Sequence, residues 1–211
     1  MNKKVIVRHL ITVFFCNFAS NYWSVRHSLL FIIIMIKILD RNFELSYPQE
    51  VIQEKVKAIA ARLNEDYQDK NPVMVCILNG AFMFAADLVR ELTFQPEVLF
   101  AKFSSYEGMT TTGKVRELIG VNANIQARDV IVVEDIVDTG TTMYNLLPQF
   151  FAKGAKTVKI CTFLQKPECL TVPLKVDYCA MEIPNAFIVG YGLDYNGMGR
   201  NYRDIYTVVE E

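Results

Sequence analysis

Histidine is almost missing from this chain, and its scarcity removes several kinds of catalytic chemistry. The two histidines, His9 and His27, both precede residue 35, so residues 35–211 contain none. A Ser-His-Asp triad, a histidine general base and most zinc sites each require histidine. If the chain is an enzyme, its proton transfers must therefore depend on a carboxylate, lysine, tyrosine or cysteine.

Two kinds of sequence fingerprint are missing as well. The chain contains no GxxxxGK[ST] loop and no GxGxxG turn after a strand, so neither a P-loop nor a dinucleotide-binding fold is indicated. It also has no CxxC pair, and its five cysteines lie mostly within apolar runs. Such cysteines are typical of reduced core residues in a cytosolic protein.

Acidic residues are absent from the first 34 positions, which hold four basic residues. Of the 22 basic residues, 18 therefore fall in residues 35–211 together with all 23 acidic ones, which gives that part a net charge of −5. A body of this charge lacks the broad basic face that a nucleic-acid backbone requires. We therefore expect no nucleic-acid partner, and any bound anion must be held locally.

Residues 1–34 match neither a signal peptide nor a membrane span. Charged and polar residues interrupt their first apolar stretch, and Lys37 interrupts the second one, Ser28–Leu39, which is too short to cross a bilayer. We expect a cytoplasmic protein without a membrane partner. Our hypothesis is that residues 1–34 are upstream sequence before a start at Met35, or a disordered extension, and that residues 35–211 form one domain.

Residues 35–211 alternate between helical and strand-like patterns. A capping-box pattern at Ser46 opens a predicted amphipathic helix that Asn71 and Pro72 stop, and further helices are predicted at about 82–92 and 142–153. Pro148 should kink or shorten the last of these. Strands are predicted at Val73–Leu78, Val130–Val133, Thr157–Leu164, Val176–Met181 and Phe187–Tyr191. This alternation predicts an α/β fold with a mostly parallel central sheet flanked by helices.

One segment places acidic and threonine-rich residues directly after a predicted buried strand. Val130–Met143 reads VIVVEDIVDTGTTM, in which two adjacent carboxylates precede Asp138 and a turn that opens a helix. Ligands bind at such strand ends in parallel sheets, and main-chain N–H groups at a helix N-terminus bind anions. Taken singly, the carboxylates are typical of a solvated strand end and the threonines of a helix cap. Their combination favours a site for a phosphorylated sugar, with magnesium nearby and Asp138 placed as a base.

This run closely resembles the signature by which type I phosphoribosyltransferases bind 5-phosphoribosyl pyrophosphate (PRPP). Over nearly all of residues 35–211 the chain is similar to the hypoxanthine-guanine branch of that family, whose fold adds a small hood built from N- and C-terminal segments. The resemblance implies that Glu134 and Asp135 hold the ribose hydroxyls, directly or through magnesium. It implies that Asp138 lies near N7 of the purine as general base or acid. The implied 5′-phosphate contacts are Thr139, Gly140, Thr141 and Thr142, although many relatives carry lysine in place of Thr141.

Three further segments resemble the pyrophosphate side of the family site. Cys76–Phe82 is similar to the pyrophosphate loop, in which a non-proline cis peptide is common at the step matching Asn79–Gly80. Many relatives carry lysine at Asn79, and Asn-Gly is also an ordinary turn signal. The Gly- and Thr-rich residues 104–115 are predicted to be a mobile loop, and they resemble the loop that closes over the site. The resemblance makes Ser105, Tyr106 and Arg200 pyrophosphate contacts, with Arg203 competing for the arginine role.

The C-terminal third resembles the family's base pocket. Lys166 matches a lysine that donates to the oxygen at purine C6, Phe187 the aromatic residue that stacks on the base, and Ile188 a neighbour whose main chain reads the base edge. Asp194 matches a second magnesium-associated carboxylate, which would act with Glu134 and Asp135. On their own, Lys166 is typical of a surface lysine and Phe187 of a core residue. Their order and spacing relative to Asp138 favour the functional interpretation.

The resemblance implies a purine-salvage enzyme with Mg²⁺ as cofactor. It would transfer the phosphoribosyl group of PRPP to hypoxanthine, and to guanine, forming the purine nucleotide and pyrophosphate. These small molecules are the expected partners, in a homodimer or homotetramer. Two alternatives stay open: a xanthine-preferring enzyme of the same family, and a PRPP-sensing regulator that binds nucleic acid. The acidity of the body and the presence of Asp138, Lys166 and Phe187 argue against the regulator.

Overall fold

The polypeptide forms two β-sheets, and the larger one carries the candidate site. The computed structural model describes residues 34–105, 115–121 and 124–209. In chain order the strands are β1 (Met35–Ile38), β2 (Arg41–Tyr47), β3 (Val73–Leu78), β4 (Glu97–Ser105), β5 (Val115–Ile119), β6 (Asp129–Val137), β7 (Thr157–Gln165), β8 (Tyr178–Glu182), β9 (Ile188–Val189) and β10 (Ile205–Val208). The helices are α1 (Gln49–Tyr67), α2 (Phe82–Arg90) and α3 (Thr141–Ala152), and a 3-10 turn covers Pro167–Cys169.

The larger sheet has six strands in the order β5-β4-β3-β6-β7-β8. Its neighbouring strands pair in parallel, except that β4 and β5 run antiparallel. Strand β3 is apolar along its length and β6 is apolar over Val130–Val133, and Val73–Cys76 and Val130–Val133 all have 0% exposure. Strands of this kind require cover on both faces of their sheet.

Helices supply that cover on the two faces. Successive residues of β3 alternate between two core clusters: Met74 and Cys76 pack with side chains of α1 and α2, whereas Val73, Val75 and Ile77 pack with side chains of α3. Because side chains alternate across a strand, α1 and α2 cover one face and α3 covers the other. The predicted α/β fold with a mostly parallel sheet flanked by helices is confirmed.

The smaller sheet is the predicted hood. Its order is β1-β2-β10-β9, and every neighbouring pair is antiparallel. Ile38, Phe43, Val189 and Tyr206 form its buried core. Two of the strands come from residues 35–47 and two from residues 188–208, so N- and C-terminal segments build the hood together.

The capping-box prediction at Ser46 is wrong. Ser46 lies in β2, and its hydroxyl is 2.5 Å from the hydroxyl of Thr207 in β10. Helix α1 begins at Gln49 and ends at Tyr67, several residues before Asn71. The N–H of Gln49 donates to Asp204 Oδ1 at 2.8 Å, so a carboxylate 155 residues away caps the helix. Local spacing carries no information about such a distant partner.

Other parts of the chain also differ from the predictions. Helix α3 continues through Pro148 to Ala152, so the proline does not shorten it. Strand β9 has two residues, because left-handed Gly190 and Tyr191 end it early. The two ends of the predicted loop 104–115 belong to strands: β4 extends to Ser105 and β5 begins at Val115. The sequence patterns do not reveal these strand ends. Residues 106–114, including Tyr106, lie outside the described residues. Within the described ranges, no helix is long and apolar enough to span a membrane.

Candidate active site

The register of two parallel strands brings an aspartate and a lysine together. Val137 and Gln165 are partners at the ends of β6 and β7, and the N–H of Lys166 donates to the carbonyl of Val137 at 2.9 Å. Asp138 and Lys166 therefore follow the two strands side by side. The Lys166 ammonium donates to Asp138 Oδ2 at 2.9 Å. Lys166 is only 7% exposed as a residue, so the Asp138 carboxylate balances a charge that is largely removed from water.

This ion pair lies in the wall of a cavity of about 170 Å³. The wall contains Asp138 and four other residues that the sequence assigns to the site or its metal: Lys166, Phe187, Ile188 and Asp194. Apolar side chains that the sequence analysis did not single out complete it: Ile136, Ala186 and Leu193. A mostly apolar wall with a few charged groups is typical of a site for a small heterocyclic ligand.

A second cavity, of about 100 Å³, adjoins the first at Ile136 and Asp138. It lies over the turn that opens α3 and is lined by Glu134, Ile136, Val137, Asp138, Thr139, Gly140, Thr142 and Met143. Gly140 precedes the helix with φ +78°, a backbone conformation that glycine adopts without strain. The side chain of Thr141 is not in this wall, because its hydroxyl contacts Thr139 and Thr171. Any contribution of Thr141 to this pocket must come from its main chain.

The two adjacent acids of β6 occupy shielded positions. Glu134 Oε2 is buried without a hydrogen-bond partner, and burial together with the neighbouring Asp135 charge raises the pKa of Glu134 well above its ordinary value. Burial also raises the pKa of Asp135, although the N–H of Ile136, 2.9 Å from Oδ1, and the charge of Arg200 oppose the shift. A Cβ on Gly80 would lie 1.4 Å from Asp135 Oδ2. Only glycine fits against this carboxylate.

These acids fit a magnesium ion that takes most of its ligands from substrate and water. The described residues contain no group of three or more metal-ligating side chains. Mg²⁺ commonly binds through one or two carboxylates plus phosphate oxygens, and Glu134 Oε2 is an oxygen without a partner. Asp194 is less available, because Oδ1 pairs with Arg200 at 2.5 Å and Oδ2 accepts from the N–H of Gly197 at 2.6 Å.

The predicted pyrophosphate loop follows β3 and packs against the C-terminal segment. Its non-proline cis peptide joins Leu78 to Asn79, one residue before the predicted Asn79–Gly80 step, because the turn begins where β3 ends. Gly192, with φ +98°, contacts this loop so closely that a Cβ would lie 2.1 Å from the carbonyl oxygen of Gly80. Gly192 was not predicted as a site residue, although it is one of four glycines between residues 190 and 199, and such a cluster is a signal for tight backbone approach.

The two candidate arginines occupy different surroundings. Arg200 donates to the carbonyl of Gly192 at 2.6 Å and lies close enough to Asp135 to affect its pKa. Arg203 lines a separate cavity with Gln49, Asp87 and Tyr191. Arg200 is therefore the arginine beside the loop. Ser105 is the last residue of β4, at the edge where the parallel strands of the sheet end.

Comparison with known proteins identifies the class to which this fold and site belong. Residues 47–196 match the family model described as the phosphoribosyl transferase domain, and the chain belongs to this family.

Individual relatives narrow the comparison to one branch. The chain is 42% identical over 166 residues to the hypoxanthine-guanine phosphoribosyltransferase of Streptococcus thermophilus, covering 78% of this chain and 92% of the relative. It is also 42% identical over 158 residues to the hypoxanthine-guanine-xanthine phosphoribosyltransferase of Tritrichomonas foetus, covering 74% and 85%.

A solved structure agrees in fold as well as in sequence. A crystal structure of a hypoxanthine-guanine phosphoribosyltransferase from Bacillus anthracis is 41% identical and has a TM-score of 0.74, covering 79% of this chain and 96% of that one. The resemblance stated from the sequence motifs is confirmed.

Proposed function

We propose that this chain transfers the 5-phosphoribosyl group of PRPP to hypoxanthine and guanine in purine salvage, forming the nucleotide and pyrophosphate. The observation that carries the proposal is the Asp138–Lys166 ion pair at the junction of the two cavities. One cavity suits a planar base and the other a sugar phosphate. The names of the relatives from Streptococcus thermophilus and Bacillus anthracis support the same assignment.

Lys166 selects the substituent at C6 of the purine. An ammonium group has three donors and no acceptor, and one donor is used by Asp138. The remaining donors suit an oxygen at C6, as in hypoxanthine and guanine. An amino group at C6, as in adenine, is itself a donor and would face the ammonium donors of Lys166. Both would then be buried without an acceptor, which costs binding energy.

Asp138 accepts the proton of the base. Its side chain is 48% exposed, so a carboxylate oxygen is open to a ligand even while Oδ2 accepts from Lys166. N9 of the purine forms the new bond to C1′ of the ribose as the bond from C1′ to the pyrophosphate oxygen breaks. The proton on N7 passes to the carboxylate, which acts as general base.

The other residues hold PRPP in place. The main chain around Thr139, Gly140 and Thr142 binds the 5′-phosphate at the N-terminus of α3, where N–H groups and the helix dipole favour an anion. Glu134 and Asp135 hold the ribose hydroxyls, and the Gly80 main chain and Arg200 contact the pyrophosphate. Mg²⁺, held by the two acids and substrate oxygens, would neutralise charge on the departing pyrophosphate. The protein acts in the cytoplasm as a homodimer or homotetramer.

A panel of bases tests the proposal and separates its rivals. Purified protein with PRPP and Mg²⁺ is expected to convert hypoxanthine and guanine to nucleotides, with adenine poorly used. Faster turnover of xanthine than of hypoxanthine would instead support the xanthine-preferring enzyme. PRPP binding without turnover of any base, together with RNA or DNA binding, would support the regulator.

A further inference from the structure

An arginine of the hood lies over the aromatic residue that lines the base cavity. The Arg41 guanidinium carbon is 6.0 Å from the ring centroid of Phe187 and 5.2 Å from that of Tyr195. Arg41 is the first residue of β2, and the side chain reaches out of the hood sheet toward both rings. A cation within about 6 Å of a ring face is attracted by the negative charge of that face.

The Phe187 ring is braced by hood residues. The Phe43 ring centroid lies 6.3 Å away at a tilt of 41°, and Tyr195 meets the ring edge to face at 5.8 Å and 84°. Tyr195 is in turn fixed by its hydroxyl, which donates to Asp40 Oδ1 at 3.0 Å. Phe187 is nevertheless 42% exposed, so part of its surface is still open toward the cavity that it lines.

Arg41 has no competing attachment. Across residues 34–105, 115–121 and 124–209, its side chain makes no ion pair or hydrogen bond, although an exposed arginine is free to find a carboxylate. Among the described residues, the recorded interactions of its guanidinium are with the Phe187 and Tyr195 rings. One of these rings lines the base cavity, so the position of Arg41 is explained by the aromatic pair rather than by an anion.

From this geometry we infer that Arg41 is a positioning residue for the purine base. It holds the Phe187 ring in the orientation that stacks on the base, so the ring loses less freedom when the base binds. The inference rests on the proposed function and deepens it, because it assigns a base-affinity role to a residue of the hood rather than of the parallel sheet.

Steady-state kinetics, with hypoxanthine and PRPP each varied in turn at saturating levels of the other, test this role with a matched control. Arg41→Met keeps the aliphatic stem and removes the charge, and Arg41→Lys restores a cation. Arg62→Met is the control, because Arg62 lies over the Tyr178 ring at 5.2 Å, a similar geometry outside the base cavity. Arg41→Met is expected to raise the KM for hypoxanthine by about 2- to 5-fold, the range for an exposed cation–aromatic contact. The kcat, the KM for PRPP and the thermal melt should stay at wild-type values, and Arg41→Lys should recover part of the loss.

A double substitution checks that Arg41 acts through the ring. In a Phe187→Leu background, Arg41→Met should produce no further change in the KM for hypoxanthine. An equal change in both backgrounds would overturn the inference, and so would a KM for hypoxanthine no different from that of Arg62→Met. If the wild-type protein forms no nucleotide at all, the proposed function fails instead, so the two failures are distinguishable.

Discussion

The Asp138–Lys166 pair combines proton acceptance and base selection in one contact. Lys166 is buried and its charge is balanced by Asp138, while Asp138 is half exposed and open to a ligand. A buried lysine without this partner would carry an uncompensated charge. The two residues are also fixed by the β6–β7 register rather than by a flexible loop. The base therefore meets groups that are already in position, which lowers the cost of binding.

Asp138→Asn tests the proton-transfer role. The amide keeps the shape and one acceptor oxygen for Lys166, but it cannot take the N7 proton as a carboxylate does. We expect kcat to fall by about 100- to 10,000-fold, the usual contribution of a general base, with PRPP affinity and the overall fold retained. The melting temperature should fall, because buried Lys166 loses the charge that balances it. Stopped assays and calorimetric titration with PRPP measure these quantities. A kcat within threefold of wild type would contradict the assignment.

Glu134→Gln tests the raised pKa of Glu134. Because folding raises this pKa, the folded protein holds the proton more tightly than the unfolded chain. The stability that this tighter proton binding contributes is fully present below pH 4.5, the ordinary pKa of a glutamate. It is lost as the pH rises through the higher pKa that Glu134 has in the folded protein. The glutamine variant, which cannot ionise, should melt at least about 2 °C above wild type at pH 8, with a smaller gain at pH 5.

The surface substitution Glu168→Gln serves as the control for this pH effect, because Glu168 is exposed on the 3-10 turn. It should leave both melts unchanged. A gain for Glu134→Gln that is equal at the two pH values would show that packing, rather than ionisation of Glu134, causes it.

The helices and the buried strands of the main sheet could be predicted, because their signals are local. The apolar runs Val73–Leu78 in β3 and Val130–Val133 in β6, and the largely apolar β7, mark central parallel strands, and α1 shows its helical spacing directly. Edge strand β8 and hood strand β9 were predicted, whereas β4, edge strand β5 and hood strands β1, β2 and β10 were not. In β2 and β4 the burial is partial and depends on which strand lies alongside, and the α1 cap depends on Asp204. A pairing between strands that are far apart in the chain produces no periodic pattern of apolar residues in either strand.

The position of the site could be predicted, because Asp138 and Lys166 directly follow the strands β6 and β7. Asp138, Lys166 and Phe187 do line one cavity, as the family resemblance implies. Two features could not be foreseen: the pairing of Asp138 with Lys166, and the partners that Asp194 finds in Arg200 and Gly197. Both depend on side-chain conformations and strand register, which the motif does not specify.

Gly192→Ala tests the contact between the C-terminal segment and the loop after β3. The added Cβ would lie 2.1 Å from the Gly80 carbonyl oxygen, so the loop must shift. Because displacement of a binding group by about 1 Å can cost roughly 100-fold, kcat/KM for PRPP should fall by about 10- to 100-fold. Gly197→Ala is the matched control: its φ is also positive, at +81°, but nothing lies within 4 Å. Equal losses in both variants would show that backbone strain, rather than the contact, is responsible.

The whole set of described elements lies after residue 34, which allows a test of where the folding unit begins. Ile34 and Met35 are 48% and 51% exposed, and the carbonyl of Ile34 accepts a hydrogen bond from the N–H of Leu45 at 2.9 Å. A chain that begins at Met35 is therefore expected to melt within about 3 °C of the full chain, because the described hydrophobic clusters take all of their side chains from residues after Met35. Its turnover should match that of the full chain. A much lower melting temperature or lost activity would show that residues 1–34 belong to the fold.

The most direct test of the account is the specificity of Lys166→Gln. For the wild-type protein, kcat/KM with hypoxanthine should exceed that with adenine by at least about 1,000-fold, since a site that hydrogen-bonds one substituent strongly rejects its replacement. Lys166→Gln should lower kcat/KM for hypoxanthine by about 10- to 150-fold, equivalent to a charged hydrogen bond, and leave the KM for PRPP within twofold. Lys175→Gln, on a lysine that is 85% exposed, should change neither. An unchanged kcat/KM for hypoxanthine in Lys166→Gln, or efficient use of adenine by the wild type, would contradict the account.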